Sequence, residues 1–282
     1  MEGRPLNMDL FDKLTFPRLN LKDNTLDDND LARRCPLDNG HACNTPQQDL
    51  GALDALPLEL LQVLLAQLDL RTLTDFRRVN KRALQVVDSI PGYKAITTHA
   101  PNALRGILSI GTGRWITCET LHDKLCTVEC ETCGDFGGYI YALTCKRVCF
   151  LCLSEHEAYL PVPFSLARRK FGINRQVLDT LPHFRSLPAQ ARASGRRNTI
   201  RRPRNDDPFD GQSGNPLRFM AIIQAPTFKR SSQEVEWGAY CVGCQRSSKQ
   251  RPRHFRRRFT KESFSEHLHE CGHIRDGVHQ DD

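Results

Sequence analysis

The sequence predicts an α+β fold: a small all-α module of three helices, then a cysteine-stapled region of short hairpins and helices. Leucines recur at helical spacing across residues 53–92. Cysteines fall in CxxC pairs at Cys130/Cys133, Cys149/Cys152 and Cys241/Cys244. Short runs of strand-forming side chains lie between and before these pairs, as in Tyr139-Ile140-Tyr141 and Leu217 to Ile223.

The helical module reads element by element. Pro57 suits a first helical turn, where its missing N–H is not needed. Glu59 follows where the helix dipole favours negative charge. Leu60, Leu61, Leu64, Leu65 and Leu68 then recur at helical spacing. Asp69 can cap a second helix bearing Leu70, Leu73, Phe76 and Val79. Asn80 can cap a third, with Ala83, Leu84 and Val87, which Pro91-Gly92 ends. So small a unit buries little of its own apolar surface.

This pattern resembles an F-box, on Leu56-Pro57, Glu59-Leu60-Leu61, Leu64, Leu68, Leu73 and the run Phe76 to Lys81. The resemblance implies docking onto the Skp-type adaptor of an SCF ubiquitin ligase. The adaptor-binding residues would be Leu56, Pro57, Leu60, Leu61, Leu64, Leu68, Leu73, Phe76 and Val79. The plainer alternative is a helical hairpin packed into its own core.

A chain of 282 residues suggests one to three domains. No apolar run approaches membrane-spanning length, and the first residues lack the apolar core of a secretory signal. The expected setting is cytoplasmic or nuclear, where thiols stay reduced, so twelve cysteines point to metal. The net charge of +7 is uneven. Residues 191–204 carry six arginines and no acid, and residues 245–266 carry eight basic residues against Glu262 and Glu266. The rest of the chain is mildly acidic.

Cys130, Cys133, Cys149 and Cys152 form a CxxC–x15–CxxC set. Two tight turns of this kind complete a tetrahedral thiolate site for zinc. Gly134 eases the first bend, and Gly137-Gly138 can turn toward a hairpin. Cys145 could substitute as a ligand, and Cys118 and Cys126 read as spare or core thiols. The eight ligands of a RING are not present, since the next cysteine after Cys152 is Cys241. A second set, Cys241, Cys244, His267 and Cys271, places His267 and Cys271 on one helical face. His269 and His273 are rival ligands there. One to two structural zinc ions are expected. Cys35, His41 and Cys43 read as unstructured.

The expected organisation is a disordered tail over 1–50, the helical module over 53–92, a zinc unit with following helices over 118–190, a basic linker over 191–216, a second unit over 217–273 and a tail over 274–282. Residues 93–125 carry no single pattern. Phe164 to Phe171 reads as a helix stopped by Gly172, and Asn174 can cap another. With Arg218 to Ala221 and Glu236-Trp237-Gly238, the whole is similar to a fungal class of F-box proteins with a cysteine-rich region and a CxxC…HxxxC tail. Four protein ligands close each zinc site, and no hydrolase, P-loop or HExxH motif occurs, so an adaptor rather than an enzyme is expected.

The partners expected are the Skp-type adaptor and a target that the sequence does not identify, with no membrane and no nucleic acid. The competing reading is a nucleic-acid-binding zinc protein, using Arg201-Arg202 and Arg251 to Arg258 on phosphates and Phe255 and Phe259 on bases. A flexible loop is the expectation for residues 245–266.

Overall fold

The computed structural model describes residues 8–19, 25–29, 31–37, 49–187, 216–232, 234–246 and 254–280. His41, Cys43 and the arginines at 192–204 lie outside them. The fold is α+β, mainly helical through residue 125 and carrying short antiparallel sheets beyond.

The chain begins with α1 (Met8–Leu14), β1 (Thr15–Phe16) and α2 (Leu31–Arg34). Next come α3 (Leu58–Ala66), α4 (Leu70–Arg77) and α5 (Lys81–Ser89). The caps sit where short polar side chains can satisfy the first amides of a helix. Asp69 accepts from the Arg71 and Thr72 amides at 3.1 and 2.9 Å, and Asn80 from the Ala83 amide at 2.8 Å. Pro57 stands at the cap position of α3. Pro91 follows the end of α5 but opens another helix, α6 (Pro91–His99), and Pro101 opens α7 (Pro101–Ile110) in the same way. After α8 (Cys118–Leu125), the unpatterned stretch 93–125 is thus largely helical. Each of α7 and α8 buries one face, with Ala103, Leu104, Ile107 and Ile110 on α7 and Cys118, Leu121 and Leu125 on α8.

One core runs through both halves of the sequence. Leu61 and Leu65 of α3, Leu73 of α4 and Val87 of α5 share it with Leu104, Ile107, Leu121, Ile140, Val148 and Ile223. Backbone bonds join the same parts. The Leu70 amide donates to Ile116 O at 2.8 Å, and the Cys118 amide to Leu68 O at 3.3 Å. The three helices of the expected module rest on α6–α8.

Strand β2 (Tyr139–Tyr141) lies between β3 (Lys146–Val148) and β4 (Ile222–Gln224), antiparallel to both. Ile140 is paired with Arg147 on one side and Ile223 on the other. An isolated two-stranded hairpin is marginal in water, and the third strand supplies the missing edge. That strand comes from the stretch 217–273, so the two expected units share a sheet. Helices α9 (Phe150–Glu155), α10 (Phe164–Phe171) and α11 (Arg175–Thr180) follow β3. Gly172 ends α10 with φ 63°, and Asn174 accepts from the Val177 amide at 2.9 Å, both as expected.

Strands β5 (Thr227–Phe228) and β6 (Val235–Glu236) pair as a hairpin. Then β7 (Ala239–Cys241) lies between β1 and β8 (Arg258–Phe259). Helix α12 (Val242–Arg246) follows β7, and α13 (Lys261–Cys271) follows β8. The sequence reads as disordered over 1–50, but its described parts are anchored. Thr15 pairs with Cys241 and Phe16 with Tyr240, and the Phe11 ring meets Phe264 edge-on at 5.4 Å. Leu26 and Leu31 are buried in the main core. A few apolar side chains in a polar segment suffice when partners distant in sequence receive them. The expected tail 274–282 likewise folds, as β9 (Ile274–Arg275) and β10 (Val278–His279). Asp276 and Gly277 turn between them, both left-handed with φ 52° and 80°.

Removing the Ile223 side chain beyond Cβ tests the shared core. Ile223→Ala should lower unfolding free energy by about 2–5 kcal/mol. The helix signal and the tertiary signal should fall in a single transition in denaturant. A separate, unshifted transition for the helices would show that they do not share this core.

Candidate functional site

Among the described residues two features stand out: an exposed apolar helix face, and clusters of metal-type ligands. Helix α3 is apolar on opposite sides. Leu61, 2 % exposed, and Leu65 face the core, while Leu60 and Leu64, both 55 % exposed, and Val63 face solvent. A helix apolar all round normally has all of its surface covered. Val79, at 68 %, is also exposed, as is Pro57. Leu56, Leu68 and Phe76 pack partly buried against the core, and Leu73 is fully inside it. The nine expected adaptor-binding residues thus divide, with Leu61 and Leu73 holding the helices and Pro57, Leu60, Leu64 and Val79 remaining available.

The first ligand cluster brings together Cys130, Cys133, Cys149 and Cys152, their sulfurs all within 4.8 Å of one another. Cys130 and Cys133 flank a turn closed by the Gly134 amide donating to Cys130 O at 2.9 Å. Gly134 has φ 81°, a backbone state that disfavours any side chain. Cys149 caps α9, and its Sγ accepts from the Cys152 amide at 3.4 Å. The Cys133 and Cys149 sulfurs stand 3.6 Å apart. That is far beyond a disulfide of about 2.05 Å. It is close to the roughly 3.8 Å edge of a tetrahedron with Zn–S near 2.3 Å. Hydrogen bonds from Cys133, Cys149 and Cys152 hold Cys130 below the usual thiol range, while Cys130 and its neighbours hold Cys149 above it. Four clustered sulfurs cannot all be thiolates without a cation between them, so the donor set suits zinc. Burial pushes the Cys118 and Cys145 thiols up to about 12, as befits neutral core groups, and Cys126 is also raised.

The second cluster consists of Cys241, Cys244, His267 and His279, all buried. His267 Nε2 lies 3.2 Å from Cys244 Sγ, and His279 Nε2 lies 3.4 and 3.5 Å from the Cys241 and Cys244 sulfurs. These match the roughly 3.6 Å N···S edge of a tetrahedral zinc site. His279 Nδ1 donates to Gly272 O at 2.9 Å, which leaves Nε2 as the ligand atom. A hydrogen bond from Cys244 draws the Cys241 thiol down to about 4. Of the four residues expected here, three come together. Cys271 instead groups with His254 and His267, and His269 and His273 join neither cluster. The reason is the β9–β10 hairpin, which turns back after α13 and delivers His279. The signal for it in the sequence is Asp276-Gly277 between Ile274 and Val278, a short hairpin turn. Gly243 lies beneath His279; a Cβ there would sit 2.6 Å from His279 Cδ2.

The described part of the basic insert is not a loop. Arg257 holds Asp135 through two bonds, Nε to Oδ2 at 2.9 Å and Nη2 to Oδ1 at 2.6 Å. Arg256 lies over the Phe150 ring at 3.7 Å, beside Cys149. Arg258 is buried among Tyr139, Tyr240 and Gln224. Phe259 is 2 % exposed and stacks on His267 at 4.3 Å, and Phe255 packs on the same cluster. These side chains tie the second ligand cluster to the first, and the two rings that the competing nucleic-acid reading would stack on bases pack inward, Phe259 fully and Phe255 in part. The physical reason is local to the fold: Asp135, the aromatic faces and the tyrosine hydroxyls offer partners that a free loop would lack.

Metal content gives the direct test. Cys149→Ser and Gly243→Ala are each expected to lower bound metal by about one equivalent, the second by displacing His279. Cys271→Ser should keep the full complement. Metal lost in Cys271→Ser and retained in His279→Ala would reverse the ligand assignment.

A family model described as F-box domain matches residues 53–94. No curated protein and no solved structure matches the chain. The chain carries an F-box domain at residues 53–94, and the exposed apolar side chains of α3 lie within it.

Proposed function

We propose that this protein is the substrate-recruiting, non-catalytic subunit of an SCF-type cullin-RING ubiquitin ligase, working in the cytoplasm or nucleus. The observation that carries the reading is the apolar face of α3, lying within the F-box domain and covered by nothing among the described residues. Pro57, Leu60, Leu64 and Val79 would meet the Skp-type adaptor, with Leu56, Leu68 and Phe76 at the rim and Leu61 and Leu73 fixing the helices beneath. The remainder would hold a target and raise its effective concentration near a charged ubiquitin-conjugating enzyme.

We infer that both ligand clusters hold structural zinc: Cys130, Cys133, Cys149 and Cys152 in one, and Cys241, Cys244, His267 and His279 in the other. Four protein ligands leave no open position for water or substrate. Zinc bound in this way contributes folding free energy rather than chemistry. The likeness to the fungal class of F-box proteins rests on the sequence motifs alone. No helix among the described residues is long and apolar enough to cross a membrane.

Leu60→Glu combined with Leu64→Glu should weaken capture of purified Skp-type adaptor by more than about a hundredfold, since each site loses about 1.4 kcal/mol or more of apolar contact. The melting temperature and metal content should not change, because both side chains point into solvent. Undiminished capture by the double variant, or no capture by the unaltered chain, would sink the proposal.

A further inference from the structure

A cavity of about 650 Å³ opens where the α6–α7 junction, the segment after β1 and the strands β4 and β7 meet. Helix α3 takes no part in it. Arg18, Asp27, His99, Trp237, Tyr240 and Arg258 are among its walls. Trp237 is 46 % exposed, an aromatic surface at the rim.

Arg258 is the unusual member. It is almost wholly buried, yet every acceptor around it is neutral. Nε donates to Tyr240 Oη at 2.7 Å and Nη1 to Trp237 O at 3.2 Å. Nη2 makes two long bonds, to Tyr139 Oη at 3.4 Å and Gln224 Oε1 at 3.3 Å. No carboxylate touches this guanidinium among the described residues. Burial lowers its pKa, but the two tyrosines outweigh that, so it stays charged. A second buried guanidinium stands close by. Arg147 donates to Ala225 O and Pro226 O at 3.1 and 2.8 Å, and burial together with Arg258 pushes it down to about 9. Two buried cations with no anion between them are costly, and a buried charge is normally paired. The open side of Arg258 is the cavity.

We infer that this cavity binds a carboxylate-bearing peptide segment of the recruited protein, the acid reaching Arg258 and Arg18 while an adjacent apolar side chain lies on Trp237. The target role rests on the ubiquitin-ligase reading above; the binding chemistry does not. The cavity is of the size and mixed lining that ligand sites have. Asp27 in the wall favours a single negative charge over a phosphate dianion, because it repels the second charge.

The test uses the full-length, metal-loaded protein and acetylated, amidated octapeptide pools, degenerate except for a fixed central Glu, Gln or phosphoserine. The Glu pool should bind about tenfold better than the Gln pool, the worth of one charge-assisted hydrogen bond. Arg258→Gln should abolish that preference. Because Arg258→Gln also removes bonds to Tyr139 and Tyr240, Arg18→Ser and Trp237→Ala, at exposed positions, provide a second measure. Each should reduce Glu-pool binding several-fold with unchanged melting temperature. Equal binding of the Glu and Gln pools, an undiminished preference in the Arg18 variant, or undiminished Glu-pool binding in the Trp237 variant would overturn the inference. Preference for phosphoserine over Glu would overturn the carboxylate assignment. Adaptor capture is measured on the same preparations. Its absence with Glu selectivity intact removes the target role and leaves the site, whereas its presence without selectivity removes the site alone.

Discussion

Ile223 of β4 fills the hollow that Gly106 leaves on α7, and the rest of the molecule is organised around that contact. A Cβ at position 106 would stand 2.6 Å from Ile223 Cδ1, so helix and strand approach as closely as a side-chain-free surface allows. On one side of the contact lie the F-box helices, resting on α6–α8. On the other lie the β3-β2-β4 sheet and the first ligand cluster, whose third member, Cys149, follows directly on β3. Closeness here fixes the angle at which the exposed face of α3 is presented relative to the cysteine-rich half.

Besides the shared core, cations tie the second half to the first. Asp135 lies two residues after Cys133, and its backbone carbonyl accepts from the Cys130 amide while its carboxylate takes Arg257. Arg256 covers Phe150 on α9. Arg218, fully buried, donates to Leu153 O and His156 O at the end of the same helix. Guanidinium groups suit these places because one planar group can reach several acceptors at once and still stack on a ring. The arginine richness of the region thus has a structural account in its described part, independent of any outside partner.

What could be read from the sequence was what local chemistry determines. Asp69, Asn80, Asn174 and Gly172 act on amides or dihedral angles within a few residues of themselves, and each stands at the helix end expected of it. The CxxC pairs bend by the same local rule. What escaped depends on partners far away in the chain. Phe11 and Phe16 are single apolar residues in a polar segment until Phe264 and Tyr240 receive them. His279 is an unremarkable histidine until the Asp276-Gly277 turn points it at Cys241. Arg256 to Arg258 look like a solvated run because their acceptors, Phe150, Asp135 and Tyr139, lie more than a hundred residues earlier.

The pairing of Thr15 with Cys241 spans nearly the whole chain, and this bears on how the protein comes into being on the ribosome. Strand β2 leaves the exit tunnel well before β4 is made. At about 5–20 residues per second the gap between them lasts on the order of ten seconds. Through that interval Ile140 and the inner faces of α7 and α8 have no sheet edge to close on. Closure over such separations is slow because chain entropy is lost before the contacts form. The nascent chain therefore depends on being shielded while incomplete, and a product truncated before residue 222 would lack the strand that finishes its core.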